Sequence, residues 1–271
     1  MTADLHIHTT ASDGRFSPQE IYYQAKLANL KTIAITDHDT IQGILDLQSF
    51  ATSGIHIIPG VELNTDITDY EVHILGYNID ITNSQLITEL DKLAKDRTSR
   101  AQKIVDKLTG LGFPVEYNRV LQIAGTSKSL GRPHIAKALI EKGYFSTMNE
   151  IFDSLLAKNA PAYVPHYKLT PEEAIRLIEI AGGTPVLAHP GLVGNDTLIL
   201  KLIRSGLRGL EIYHPKHTEP QVKEYLALAA KHNLVITGGS DFHGIPGRFP
   251  EQLGQFTIPA YLADKLSASH A

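Results

Sequence analysis

Apolar and polar positions first alternate with a period of two: in Asp4-Leu5-His6-Ile7-His8, Leu5 and Ile7 face one way and His6 and His8 the other, as on an extended strand. After Asp13-Gly14-Arg15-Phe16 the period becomes helical. Ser17-Pro18-Gln19-Glu20 offers an N-cap serine, a proline at the first helical position and an acidic side chain in the first turn, and the helix is expected to run to about Asn29. Residues 31–36 read as a buried strand ending in Asp37-His38-Asp39, and Thr40 is expected to cap a helix running through about Ala51. Residues 55–62 form a third strand with Glu62 at its exit. Asn64 to Tyr70 is too short for a crossover helix, so the next strand, residues 71–77 with His73, is expected to pair locally and antiparallel.

From about Ile81 to Asn159 the pattern is helical throughout. A long amphipathic helix is expected from Asn83 or Ser84 to Leu111, with Leu86, Leu90, Leu93, Ile104 and Leu108 on its apolar side and Arg97, Arg100 and Lys103 expected to share a face. Two more helices are expected, 134–143 after Gly131-Arg132-Pro133, and 148–156. Strand and helix then alternate again: a capped helix from Thr170, a strand into Ala188-His189-Pro190, a helix near 196–205, a strand into His214, a helix from Glu219, and a strand into Gly238-Gly239-Ser240-Asp241-Phe242-His243. The expected organisation is a domain made of residues 1–80 and 160–271, interrupted by a helical subdomain at 81–159.

Seven strands leading into His, Asp or Glu fit an α/β barrel, whose site lies at the strands' C-terminal ends, better than a doubly wound sheet, which uses two or three strand ends at one switch point. With seven strands the barrel is expected to be incomplete or distorted. The candidate site residues are His6, His8, Asp13, His38, Glu62, His73, His189, Asp241 and His243. Taken singly, each reads equally as a helix cap, a core residue or, for the His-x-His pair, an exposed strand.

Composition narrows the chemistry. Hydrophobic residues are 42% and charged residues 20% of the chain, as in a globular protein, and a net charge of −4 argues against duplex nucleic acid or an anionic membrane as partner. The chain has no cysteine, which excludes a disulfide framework, a thiolate metal site and a cysteine nucleophile. It begins without a basic and apolar leader and has no stretch long enough to span a membrane, so a soluble cytoplasmic protein is expected. The 13 histidines matter because they are organised: six imidazoles and three carboxylates on one rim are too many titratable groups to converge without cations. Nitrogen and oxygen donors without sulfur suit manganese foremost, or iron(II) or zinc, and nine ligands serve two or three ions. The resulting positive pocket calls for an anion.

Together, His6-x-His8, Thr36-Asp37-His38-Asp39, Gly60-Val61-Glu62, His73-Ile74-Leu75-Gly76-Tyr77, Ala188-His189-Pro190 and Ser240-Asp241-Phe242-His243 resemble the ordered motifs of the polymerase and histidinol phosphatase (PHP) family. The resemblance implies a distorted (β/α)7 barrel with a trinuclear metal centre. His6, His8, Glu62 and Asp241 would hold one ion, Glu62, His73 and His189 a second, and Asp13, His38 and His243 a third, with Asp13 standing where some relatives have histidine. It implies a metal-dependent phosphoesterase in which a metal-activated hydroxide attacks phosphorus, Glu62 and Asp241 lie at the reacting centre, and His214 is a candidate proton donor.

Arg97, Arg100, Arg132, His134 and Arg248 are candidates for binding substrate phosphate, although Arg97, Arg100 and Lys103 read equally as a solvated face. The layout is similar to the small family members that hydrolyse nucleoside 3′,5′-bisphosphates or the 5′ ends of short RNA. The partner is therefore expected to be a small nucleotide or short oligonucleotide. Histidinol phosphatase is the enzyme alternative, and a noncatalytic nucleotide- or metal-binding module the alternative of another class.

Overall fold

The computed structural model describes all residues except 1, 51–52, 68–69, 126–129, 166, 168 and 269–271. The first half of the chain forms β1 (Thr2–Ile7), α1 (Pro18–Leu27), β2 (Leu30–Ile35), α2 (Gln42–Gln48), β3 (His56–Ile67), β4 (Tyr70–Tyr77), α3 (Ser84–Gly110), α4 (Tyr117–Ala124), α5 (Arg132–Glu141) and α6 (Met148–Ile151), the last continued by a π-helical turn over Phe152–Leu156. The second half forms α7 (Pro171–Ile180), β5 (Thr184–Leu187), α8 (Pro190–Val193), α9 (Asp196–Arg204), β6 (Gly209–Tyr213), α10 (Glu219–His232), β7 (Val235–Gly238), β8 (Ile258–Pro259) and α11 (Tyr261–Ala268).

The strands pair in the order β7-β6-β5-β4-β3-β2-β1-β8. All neighbours among β1, β2 and β3, and among β5, β6 and β7, are parallel, and only β4 and β8 run against the rest. The segment after β7 nearly closes the ring: the Phe242 N–H donates to the His6 carbonyl at 3.2 Å, and the His8 N–H to the Phe242 carbonyl at 2.9 Å. The result is a nearly closed α/β barrel, as expected. Its eighth strand was not foreseen, because a two-residue strand carries too little pattern to register.

The antiparallel β3–β4 pair forms as expected, from Gly60 opposite Tyr77 to Ile67 opposite Tyr70. Two expectations about its site residues are corrected. Glu62 lies in mid-strand rather than at an exit, because β3 runs on to Ile67 with its backbone paired to β4. His73 comes from the first half of β4, since an antiparallel strand presents its entry half at the rim where its neighbours end.

Helix starts follow local chemistry. Ser17 with Glu20 and Thr170 with Glu173 form reciprocal capping boxes, and the Asn83 side chain accepts from the Gln85 and Leu86 N–H groups. The Thr40 hydroxyl accepts from the Gln42 N–H at 3.1 Å, but α2 ends at Gln48 rather than near Ala51, a residue outside the described ones. Thr170→Ala is expected to cost about 1 kcal/mol, seen as a fall in melting temperature of roughly 2–4 °C.

The apolar contacts divide within α3. Leu86, Leu90 and Leu93 join the barrel's core, while Ala101, Ile104 and Leu108 pack with Val120, Ile135, Leu139, Ile151 and Leu156 in a separate cluster. Within this cluster α4 was not foreseen. Among the described residues, no helix is long and apolar enough to cross a membrane.

Candidate metal centre

β1 places His6 and His8 side by side, with ring centroids 5.1 Å apart and both residues fully buried. Opposite them stands Glu62, with five imidazoles around its carboxylate. Its Oε2 lies 3.3 Å from His6 Nε2, 3.2 Å from His8 Nε2 and 3.0 Å from His38 Nδ1. Its Oε1 lies 2.9 Å from His73 Nδ1 and 3.3 Å from His189 Nε2. Asp241 Oδ1 lies 3.4 Å from His8 Nε2 and 3.7 Å from His6 Nε2, and Asp13 Oδ1 lies 3.3 Å from His243 Nε2. The donors form three overlapping groups: His8, Asp13, His38 and His243; His6, His8 and Asp241; and His38, Glu62 and His73.

Burial alone would raise the pKa of Glu62, Asp241 and Asp13, yet the surrounding imidazoles hold all three well below the usual carboxylate range. The same field acts on the histidines. Burial opposes the charge on His6, but Glu211 and Glu62 draw it well above its ordinary value, and the nearby carboxylates of Asp241 and Glu62 bring His8 to about 9 against burial. The pocket therefore attracts positive charge.

Divalent cations fit these donors. His6 Nε2, both ring nitrogens of His8, Asp13 Oδ1 and Glu62 Oε2 are buried without a hydrogen-bond partner, a state that costs about 1–3 kcal/mol per group when nothing else binds them. All are hard or borderline nitrogen and oxygen donors, and no thiol is present to favour a softer metal.

An outer set of buried carboxylates, to none of which the sequence reading gave a role in the site, braces this arrangement. Asp37 accepts from the Thr9 N–H at 2.7 Å, the Thr9 hydroxyl at 2.8 Å and the Ser12 hydroxyl, which shapes the loop carrying Asp13. Asp4, pushed up to about 6 by burial against its hydrogen bonds from Ser240, accepts from the Ser240 N–H at 2.9 Å and fixes the loop carrying Asp241. Glu211 contacts His6 and the backbone of His189. Their only sequence signal is a charged residue inside or next to an apolar strand.

A cavity of about 430 Å³ opens onto Glu62, His73, His189, Asp241 and His243. Arg248 lines it, with its Nη2 2.6 Å from Asp241 Oδ2, and so does Lys216, a residue that sequence reasoning passed over. His214 is buried, with Nε2 3.8 Å from Asp241 Oδ2.

The other phosphate-binding candidates do not line this cavity. Arg97 pairs with Asp39, Arg100 Nε donates to the Val164 carbonyl at 2.7 Å, Arg132 Nη1 donates to the Leu156 carbonyl at 3.1 Å, and His134 Nδ1 accepts from the Gly131 N–H. Nor do Arg97, Arg100 and Lys103 share a face: Arg100 is buried and Lys103 exposed, because three residues turn an α-helix by about 300° and six leave the ends roughly 120° apart. The three arginines are nonetheless close enough to repel. Burial first, then Arg132 and Arg97, bring Arg100 down to about 10, and its Nη2 is buried without a partner.

Clustered imidazoles and carboxylates on the rim of an α/β barrel fit a metal-dependent hydrolase. The chain belongs to the PHP domain family, whose model matches residues 4–163. It is 35% identical over 89% of its length to the 5′-3′ exoribonuclease Rnm of Escherichia coli, covering 84% of that protein. It is 31% identical over 96% of its length to phosphoribosyl 1,2-cyclic phosphate 1,2-diphosphodiesterase of Eggerthella lenta, covering 100% of it, and 30% identical over 93% of its length to the 3′,5′-nucleoside bisphosphate phosphatase of Chromobacterium violaceum, covering 90%. A solved structure from Bifidobacterium adolescentis, assigned as a metal-dependent phosphoesterase, superposes with a TM-score of 0.88 at 30% identity, covering 99% of this chain and 96% of that one.

Proposed function

We propose that the protein is a phosphoesterase acting on nucleotides, hydrolysing a phosphate monoester of a nucleoside 3′,5′-bisphosphate or the terminal phosphodiester of a short 5′-phosphorylated RNA. The observation that carries this reading is the single carboxylate of Glu62 ringed by five imidazoles beneath a cavity that also holds Arg248 and Lys216.

Two or three divalent ions, manganese first, with iron(II) or zinc as the other suitable ions, would be held by His6, His8, Glu62 and Asp241, by Glu62, His73 and His189, and by Asp13, His38 and His243. Bound there, they supply positive charge to phosphoryl oxygens and lower the pKa of a water toward neutrality. Arg248 and Lys216 add cationic contacts at the mouth of the cavity. His214 Nδ1 accepts the Lys216 N–H at 3.2 Å, so the ring proton sits on Nε2, where it can be given to the departing oxygen. Asp241 Oδ2 lies 3.8 Å from that nitrogen.

The second phosphate is taken by the arginine cluster of the helical subdomain, residues 81–159. Arg97, whose counterion is Asp39, and Arg132 lie within electrostatic reach of Arg100, and His134 stands within the field of Asp13 and Arg97. Arg132→Ala is expected to raise KM for adenosine 3′,5′-bisphosphate about tenfold while leaving a monophosphate little changed, the loss of one charge-assisted contact. An equal effect on both substrates would remove this assignment.

The test of function is release of phosphate or nucleotide in the presence of Mn²⁺ from four compounds. These are adenosine 3′,5′-bisphosphate, a short 5′-phosphorylated oligoribonucleotide, histidinol phosphate and a phosphoribosyl 1,2-cyclic phosphate. Turnover is expected on the first two. Preference for either of the others would replace the substrate, and no turnover on any would leave a binding module.

A further inference from the structure

Glu211 lies at the centre of β6, fully buried, on none of the three donor groups. A carboxylate so placed needs donors, and it has two from different strands. Its Oε1 is 2.9 Å from His6 Nδ1 on β1, and its Oε2 accepts the His189 N–H at 2.8 Å beyond the end of β5. The first contact fixes a ring: with Nδ1–H donated to Glu211, the His6 lone pair is left on Nε2, the atom that faces Glu62 and Asp241. The second fixes a backbone: His189 has φ 31 and ψ 58, in the left-handed region that non-glycine residues rarely enter, and a hydrogen bond to a buried carboxylate helps hold it there. That turn swings the His189 ring back, bringing Nε2 to 3.3 Å from Glu62 Oε1.

We propose that Glu211 is a positioning residue that couples the two ion positions of the centre, by setting the tautomer of His6 at one and the backbone of His189 at the other. This rests on the metal reading given above. A single carboxylate spanning ligands of two ions means that its loss weakens both positions together rather than one. Outer carboxylates of this kind are generally worth about 10–100-fold in metal affinity.

The test compares wild type with Glu211→Gln, which keeps the size but can accept only one of the two hydrogen bonds, by titrating metal-free protein with Mn²⁺ and following free ion by electron paramagnetic resonance. The expected result is unchanged stoichiometry with two binding steps weakened about 10- to 100-fold, and partial recovery in Glu211→Asp. Weakening of one step alone, or of neither, overturns the proposal. If wild type itself takes up no Mn²⁺, the metal reading fails instead. A second measurement does not depend on how the Glu211 variants fold: ¹⁵N ring signals of Zn²⁺-loaded wild type, with His6 identified by its loss in His6→Gln, should show protonation at Nδ1. A signal protonated at Nε2 overturns the tautomer assignment.

Discussion

Glu62→Gln is expected to lower turnover by roughly three orders of magnitude, the scale of losing a principal electrostatic contact at a reacting centre. The substitution preserves volume in a residue that is 1% exposed but removes the charge around which His6, His8, His38, His73 and His189 are gathered. A neutral amide also directs an N–H toward imidazole nitrogens whose lone pairs would serve a cation, so metal uptake should fall with activity. The measurements are turnover at saturating Mn²⁺ and metal content by elemental analysis. A variant within tenfold of wild type at full metal content would remove Glu62 from its central role.

Gly239→Ala should give a large loss of stability for the addition of one methyl group. A methyl group built at this position would lie 2.4 Å from both His6 Cβ and the His6 backbone nitrogen and 2.9 Å from His6 Cα, so the strand carrying His6 must move. The contact lies where the exit of β7 passes β1 and nearly closes the ring, and the Gly239 N–H is already tied to the Tyr213 carbonyl at 3.0 Å. Overpacking a closed site of this kind costs about 3 kcal/mol, which for a chain of this size lowers the melting temperature by roughly 6–12 °C. Activity should fall as well, because His6 is displaced from Glu62. Unchanged melting and activity would mean that β1 and the β7 exit separate without penalty.

Local physics made much of the fold readable in one dimension. The capping boxes at Ser17 and Thr170 and the Asn83 cap depend only on residues within a turn of each other, and helices begin at all three. The alternation Leu5-His6-Ile7-His8 is likewise a property of any extended chain. What escaped the reading was short or long-range. β8 is two residues long, α4 and α11 have eight each, and the boundary of apolar contacts falls inside the continuous α3, where the helical pattern does not change.

The same division holds in the site. His6, His8, His38, His189 and Asp241 stand at or beside strand exits, a recurrence visible along the chain, whereas Asp4, Asp37 and Glu211 are charges in or beside strands that reach Ser240, Thr9 and His189, 22 to 236 residues away. Nothing local separates such a carboxylate from one in solvent. Arg97 and Arg100 show the converse, since local spacing marked them with Lys103 as a cationic face, and packing turned Arg97 onto Asp39 and the Arg100 Nε onto the Val164 carbonyl.

By itself, the sequence determined the alternation of strand and helix, the stock of imidazole and carboxylate donors, the absence of thiols and the order of motifs that places the chain in its family. Each of these follows from residue identity or from interactions within about one helical turn. Only the tertiary structure decided that a two-residue strand, β8, pairs antiparallel with β1, that five imidazoles meet on Glu62 and that one buried carboxylate serves both His6 and His189. Those outcomes depend on register and burial between strands far apart in the chain, where a shift of one residue would turn each side chain to the opposite face.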